Sequence, residues 1–486
     1  MLFSKNKIRL RFAPSPTGFL HLGNLRSALF GYLLAKSWKG KFILRLEDTD
    51  QKREVEGSLE KLLDILSWVG IKFSEGPHTT GKYGPYIQSE RLAIYKKFAD
   101  QLLAEKKAYR CFCTSERLTD MRLAQEAAKK APRYDRLCRS LSEEEIKEKL
   151  ESGAKFVIRQ RLPRHGEIVV YDELRGQIKF AAKDLDDHIL IKSDGVPTYH
   201  FASVVDDHLM KISHVTRGDE WLPSFPKNVL LYQAFGWTPP KFIHLPLILN
   251  KTGGKLSKRQ GDVFVENYRD QGYLPEALVN FCALLGWHPK GDQEILKLCE
   301  LEKIFSLKGL GVSPAIFDLE KLDYFNGYYL RQKNIHELTT LARPFLIDKL
   351  PPITDDQLEK FVGLAQERLK KLVDIPDLIS FLWDQPKYEI ELLRWKNISL
   401  EETRQNLQTI EKQLISIEAA DWHKEKLENH LLAWLKSNNK KNGDYLWPLR
   451  VALTGLKNSP GPMEVASALG KDESLKRIQA AIKLLS

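Results

Sequence analysis

Residues 13–24 read Ala13-Pro14-Ser15-Pro16-Thr17-Gly18-Phe19-Leu20-His21-Leu22-Gly23-Asn24, and they separate two segments of different periodicity. Before them, Ile8-Arg9-Leu10-Arg11-Phe12 alternates as a strand does. After them, residues 24–38 carry Leu25, Leu29, Tyr32 and Leu33 at helical spacing. Two prolines stiffen the connecting loop, and two glycines permit close backbone approach. A second strand over 41–46 follows, then a helix face at positions 55, 59, 62, 63, 66 and 69. Strand, helix, strand, helix is the pattern of a parallel α/β sheet. The loop thus delivers Thr17, His21 and the amides of a helix N-terminus to the carboxyl edge of the sheet. Nucleotides bind at such an edge, and such a terminus favours phosphate.

Residues 91–197 break that rhythm. They hold Cys111, Cys113 and Cys138, a polar helix with Lys129 and Lys130, and strand-like runs at 155–162 and 167–171, which together read as an insertion. Strand–helix alternation resumes near Val204-Val205, passes a helix around 226–235 and reaches a strand at 244–249. Directly after it comes Asn250-Lys251-Thr252-Gly253-Gly254-Lys255-Leu256-Ser257-Lys258-Arg259. Its paired glycines hinge the loop, and its lysines supply point charges for a triphosphate. Beyond about residue 332 the strand signals nearly vanish, and amphipathic segments such as 356–373 and 403–417 predict a helical C-terminal region.

A chain of 486 residues exceeds one ordinary core, so several domains are expected. The net charge of +11 favours a polyanionic partner such as nucleic acid. Five scattered cysteines do not form a disulfide framework and fit a reducing compartment. No run approaches the roughly 18 apolar residues of a spanning helix, and the start lacks a secretory h-region. No membrane association and a cytoplasmic location are the expectation.

The two basic elements together resemble the paired signatures of class I aminoacyl-tRNA synthetases. More narrowly, Arg11 to Gly18, Arg45-Leu46-Glu47-Asp48-Thr49-Asp50, Gly84-Pro85-Tyr86-Ile87-Gln88-Ser89-Glu90-Arg91 and Pro197-Thr198-Tyr199-His200-Phe201-Ala202 resemble the bacterial-type glutamyl-tRNA synthetases. Val204-Val205-Asp206-Asp207-His208 and Phe317-Asp318-Leu319-Glu320-Lys321-Leu322 fit the same family, in order along essentially the whole chain.

The resemblance implies a Rossmann-type parallel-sheet catalytic domain with an inserted acceptor-binding domain, followed by an all-helical anticodon-binding region. The corresponding boundaries are 1–90 and 198–250 for the catalytic domain and 91–197 for the insertion. A stem-contact region with the Lys255–Arg259 loop would span 251–332, and the helical region 333–486. It implies ATP with Mg²⁺, glutamate and tRNA(Glu) as partners, and a monomer. Attack of the amino-acid carboxylate on the α-phosphorus builds charge on phosphate oxygens, so fixed donors and cations catalyse it without a nucleophilic side chain. His21, Thr17, Lys255 and Lys258 would carry this step, with Gly23, Glu220 and Ser257 also at the nucleotide. Arg11, Ala13, Ser15, Glu47, Tyr199, Ser203 and Arg217 would hold glutamate, Glu47 on the ammonium and Arg217 on the side-chain carboxylate. Ser203 stands where the family usually has asparagine.

Cys111, Cys113 and Cys138 resemble the zinc site of some family members, in which a histidine two positions after the third cysteine completes the set. Here that position is Ser140, so three good ligands are visible where structural zinc takes four. Arg133, Arg136, Arg139 and Arg164 are candidates for the acceptor stem. Arg368 aligns with an arginine that reads the last anticodon base. The alternatives are a glutaminyl-tRNA synthetase and a catalytically inactive tRNA-binding paralogue. Arg217 speaks against the first, because a neutral amide gives no reason to keep a guanidinium there. Intact His21 and 255–259 speak against the second.

Overall fold

In the computed structural model, residues 8–16, 18–49, 57–79, 81–254, 256, 263–346 and 350–486 are described. The chain divides into two compact units, Met1–Arg269 with Pro275–Leu319 and Asp270–Leu274 with Glu320–Ser486.

The first unit opens with β1 (Arg9–Phe12), α1 (Leu22–Ser37) and β2 (Lys41–Leu44). The strands pair in parallel, Leu10 opposite Phe42. Helix α1 buries residues on nearly every side, with Leu25, Leu29 and Leu33 fully enclosed, so it belongs to the core rather than to a surface. It begins two residues earlier than its periodicity predicts, because His21 serves as the N-cap: Nδ1 accepts the Gly23 amide at 3.0 Å. Helices α2 (Ser58–Trp68) and α3 (Leu92–Ala104) follow.

The segment read as an insertion contributes β3 (Ala108–Cys111), α4 (Ser115–Ala127), α5 (Glu143–Glu151), β4 (Val157–Gln160), β5 (Glu167–Asp172), β6 (Gly176–Ala181) and β7 (Ile189–Ile191). Strands β3, β4 and β7 form an antiparallel sheet, while β5 and β6 make a hairpin.

The parallel sheet resumes with α6 (Tyr199–Leu209), β8 (His214–Gly218), α7 (Phe225–Ala234) and β9 (Lys241–Leu245). Strands β8 and β9 pair in parallel, and the Ser213 amide donates to the Arg9 carbonyl at 2.9 Å, setting β8 beside β1. The Asp172 end of β5 joins this sheet beside Phe242 of β9, so the hairpin meets the parallel sheet at its tip.

Around the parallel sheet, two predicted strands shift. Val204 and Val205 lie inside α6, whose residues 201–207 are all buried; the resuming strand is β8, ten residues on. The strand predicted over 244–249 is split at Pro246 into β9 and β10 (Ile248–Leu249), because proline offers no amide to the ladder; β10 pairs instead with β11 (Ala315–Ile316).

Among its described residues the second unit is helices and turns only, from Leu319–Gln332 to Lys471–Leu484. Leu407, Ile410, Leu414, Val451, Ala452 and Ala481 are fully buried in it. The helix predicted over 356–373 ends at Gln366. Leu369 and Leu372 continue the apolar pattern and are buried, but from a turn and a short 3₁₀ segment. The Leu372 amide donates to the Gly272 carbonyl at 3.4 Å rather than up its own helix. Gly272 has φ +81°, and a Cβ there would lie 2.4 Å from the Leu372 Cβ, so only glycine allows this approach. No helix among the described residues is long and apolar enough to cross a membrane.

Candidate active site

At the carboxyl ends of β1 and β8 lies a cavity of about 690 Å³. Arg11, Ala13 and Ser15 reach it from β1 and its loop, and Glu47 from just past β2. Tyr199 from α6, Arg217 at the end of β8, and Glu220 with Trp221 in the following turn close it. Six of the seven residues predicted to hold glutamate therefore share one cavity. The seventh, Ser203, is buried one turn along α6 from Tyr199 and is not among the lining residues.

A buried charge network holds this wall. Asp207 accepts from Arg11 Nε at 3.1 Å and from Arg45 Nη1 at 2.6 Å. Arg45 Nη2 donates to Glu47 Oε1 at 2.9 Å. Asp206 binds Arg91 Nε at 2.7 Å, Tyr95 Oη at 2.7 Å and Gln88 Nε2 at 2.9 Å. Such charges are tolerated inside only because each is paired and hydrogen-bonded.

Two polar atoms in the cavity wall have no such partner among the described residues. Glu47 Oε2 and Arg217 Nη2 are both buried without a hydrogen bond. Burial pushes the Glu47 carboxyl up to about 7 against the pull of Arg45 and Arg11. Arg217 sits 5.0 Å from the Phe242 ring and 5.7 Å from that of Phe225, and burial lowers its basicity. An unpaired acceptor and an unpaired cationic donor in one cavity suit a ligand with an ammonium and a carboxylate. Tyr199 packs on Trp221 with ring centroids 4.6 Å apart.

Asn24, Ser27, Thr49, Lys192 and Trp221 also line the cavity and went unassigned in the sequence. Trp221 was within reach, since it stands in the stretch that supplied Arg217. Lys192 carried no signal, because a lone lysine outside any motif looks like any solvated charge.

On the phosphate side, His21 and Gly23 do not line this cavity. Thr17, Lys255, Ser257 and Lys258 lie outside the described residues. Their flanks meet, however. The Leu22 amide donates to the Val263 carbonyl at 2.8 Å, and the Val265 amide to the Leu20 carbonyl at 2.9 Å. The Leu20 amide donates to Glu266 Oε1 at 3.0 Å.

Between the end of β3 and α5, Cys111, Cys113 and Cys138 bring their sulfur atoms within 4.8 Å of one another. Tyr134, which carries no such signal in the sequence, stands beside them. Its hydroxyl lies 3.2 Å from Cys111 Sγ and 3.5 Å from Cys113 Sγ, so three sulfurs and one oxygen converge. Ser140 turns back to the Leu137 carbonyl. Three arginines expected at the tRNA surface are engaged within the protein: Arg133 with Asp184, Arg136 and Arg139 with Asp187. Arg164 is exposed. Arg368, in the second unit, is exposed just past the helix Asp355–Gln366.

Residues 7–324 match the family model described as "tRNA synthetases class I (E and Q), catalytic domain", and residues 337–482 match an anticodon binding domain. A glutamate–tRNA ligase of Clostridium acetobutylicum is 45% identical over 99% of both chains. One from Alkaliphilus metalliredigens is 44% identical over 97% of this chain and 98% of its own. The crystal structure of a glutamate tRNA ligase from Elizabethkingia meningosepticum, solved with its amino acid, superposes with a TM-score of 0.89 at 38% identity, covering 99% of this chain and 100% of that one. With both signatures, the parallel sheet and the helical C-terminal unit in agreement, the chain belongs to the class I tRNA synthetases of the glutamate and glutamine (E and Q) type.

Proposed function

We propose that this protein is a glutamate–tRNA ligase, which activates glutamate with ATP and transfers it to the 3′ end of tRNA(Glu). The observation that carries the reading is the pair of unpartnered atoms in one cavity, Glu47 Oε2 and Arg217 Nη2. Glutamate supplies the ammonium for the first and a side-chain carboxylate for the second. A neutral amide at Arg217 would leave a buried guanidinium uncompensated, which is the basis for rejecting glutamine.

In this reading the α-carboxylate of glutamate, oriented by Arg11, Ser15 and Tyr199, attacks the α-phosphorus of ATP and expels pyrophosphate. Thr17, His21, Gly23, Glu220, Lys255, Ser257 and Lys258 would serve the nucleotide, whose triphosphate carries Mg²⁺ as its counter-ion. The hydrogen bonds joining 20–22 to 263–266 support this arrangement, since they tether the far flank of the lysine loop to the His21 loop. The 2′-hydroxyl of the terminal adenosine then attacks the adenylate carbonyl and releases AMP. Residues 91–197 would receive the acceptor end, 251–332 the stem, and 333–486 the anticodon.

A zinc ion in the insertion would be held by Cys111, Cys113 and Cys138, with the Tyr134 oxygen completing four donors. Its part there would be to brace the fold.

The test is aminoacylation of total tRNA with labelled glutamate and glutamine, for the native protein and for Arg217→Gln. The native protein should charge glutamate alone. Arg217→Gln should lose roughly 10²-fold or more in kcat/KM for glutamate. Equal use of both amino acids by the native protein would defeat the reading.

A further inference from the structure

Behind Arg217 runs a second line of polar residues, supplied by two different strands. Arg217 Nε donates to His244 Nε2 at 2.9 Å. On the far side of the ring, His244 Nδ1 lies 2.8 Å from Asp172 Oδ2. The same carboxylate oxygen accepts the His244 amide at 2.9 Å, and Oδ1 accepts the amides of Leu174 and Arg175, each at 3.0 Å. Arg175 in turn spans from the His244 carbonyl to Asp219, each at 2.6 Å. His244 is fully buried and Asp172 nearly so.

These contacts permit one assignment of protons. A guanidinium Nε–H can only donate, so His244 Nε2 must present its lone pair. The imidazole is therefore neutral, its proton is on Nδ1, and Asp172 receives it as a carboxylate. The neighbouring aromatic rings, Phe225 and Phe242, hold the guanidinium laterally but give its hydrogens no direction. Among the described residues, His244 alone does that. With Nε occupied, the terminal edge of the guanidinium, which includes the unpartnered Nη2, is what remains for a bidentate carboxylate contact.

We propose that Asp172 and His244 are positioning residues for amino-acid selection, fixing the orientation of Arg217 so that its terminal edge stays reserved for the side-chain carboxylate of the substrate. This rests on the assignment of Arg217 made above. Asp172 is the β5 residue that pairs in register with β9, opposite Phe242, where the β5–β6 hairpin joins the parallel sheet. Residues of the insertion thereby set the specificity of the catalytic sheet without touching substrate.

The experiment measures ATP–pyrophosphate exchange at saturating tRNA for His244→Leu, His244→Gln, Asp172→Asn and Arg217→Lys, with thermal melting to verify folding. His244→Leu and Asp172→Asn should raise KM for glutamate by about tenfold or more, leaving KM for ATP unchanged and kcat within about threefold. His244→Gln, whose amide oxygen can accept from Arg217 Nε, should recover most of the loss. Arg217→Lys should raise KM for glutamate at least as far. If Arg217→Lys raises it while His244→Leu and Asp172→Asn keep the native value, the dyad does not position Arg217. If Arg217→Lys itself leaves KM unchanged, the assignment of Arg217 is what fails. Should His244→Leu not fold, Asp172→Asn and His244→Gln carry the test, and a native KM in Asp172→Asn overturns the proposal.

Discussion

Glu47 accepts from Arg45 through Oε1 alone, at 2.9 Å, and keeps Oε2 buried without a partner among the described residues. One oxygen is spent on structure and the other is left for a ligand. Because burial pushes this carboxyl up to about 7, it changes charge inside the working pH range. Below that value it is protonated and loses its attraction for an ammonium; above it the carboxylate is present. KM for glutamate should therefore rise roughly tenfold as pH falls from 8 to 6. Glu47→Gln should give a high KM that no longer varies over this range. A flat KM in the native protein would show that Glu47 does not bind the ammonium.

Asp207 joins Arg11 to Arg45, with all three side chains almost wholly buried. Asp207→Asn would leave two guanidinium groups sharing a neutral partner, a loss of about 3–5 kcal/mol for a broken buried pair. Denaturant unfolding followed by tryptophan fluorescence should show the loss of native signal moved to lower denaturant. An unmoved transition would mean that the pair contributes little to stability.

Metal analysis of protein purified without chelator should find close to one zinc per chain, and Cys138→Ser should abolish it. Tyr134→Phe should lower retention under chelator, because it removes the oxygen of the four-donor set. Fewer than about 0.2 zinc per native chain would leave the thiols simply hydrogen-bonded to Tyr134 and to one another.

Arg368 stands exposed with Arg450 and Glu464 within electrostatic reach. Arg368→Gln should relax discrimination against glutamine tRNA in aminoacylation assays while exchange with tRNA(Glu) changes little. Discrimination equal to the native protein's would remove Arg368 from anticodon reading.

The order of elements around His21 was legible because strand and helix periods change abruptly across one loop. Helix α6 was harder: Val204 and Val205 are buried among buried neighbours, and a helix enclosed on all sides loses the one-faced pattern that marks it. The pocket residues were found through motifs, since Arg11, Glu47 and Arg217 are far apart in the chain and no local rule joins them. Asp172 and His244 escaped for the same reason. They stand 72 positions apart, outside every quoted motif, and only the packing of the hairpin against β9 makes them partners. Tyr134 escaped because a tyrosine near cysteines reads as core until its hydroxyl is seen among the sulfurs.

ATP–pyrophosphate exchange with each of the twenty amino acids, with and without tRNA, tests the central claim most directly. Exchange should occur with glutamate and with no other amino acid, and Lys258→Ala should depress it severely. Exchange with glutamine in place of glutamate, or none with any amino acid plus total tRNA, would contradict the account.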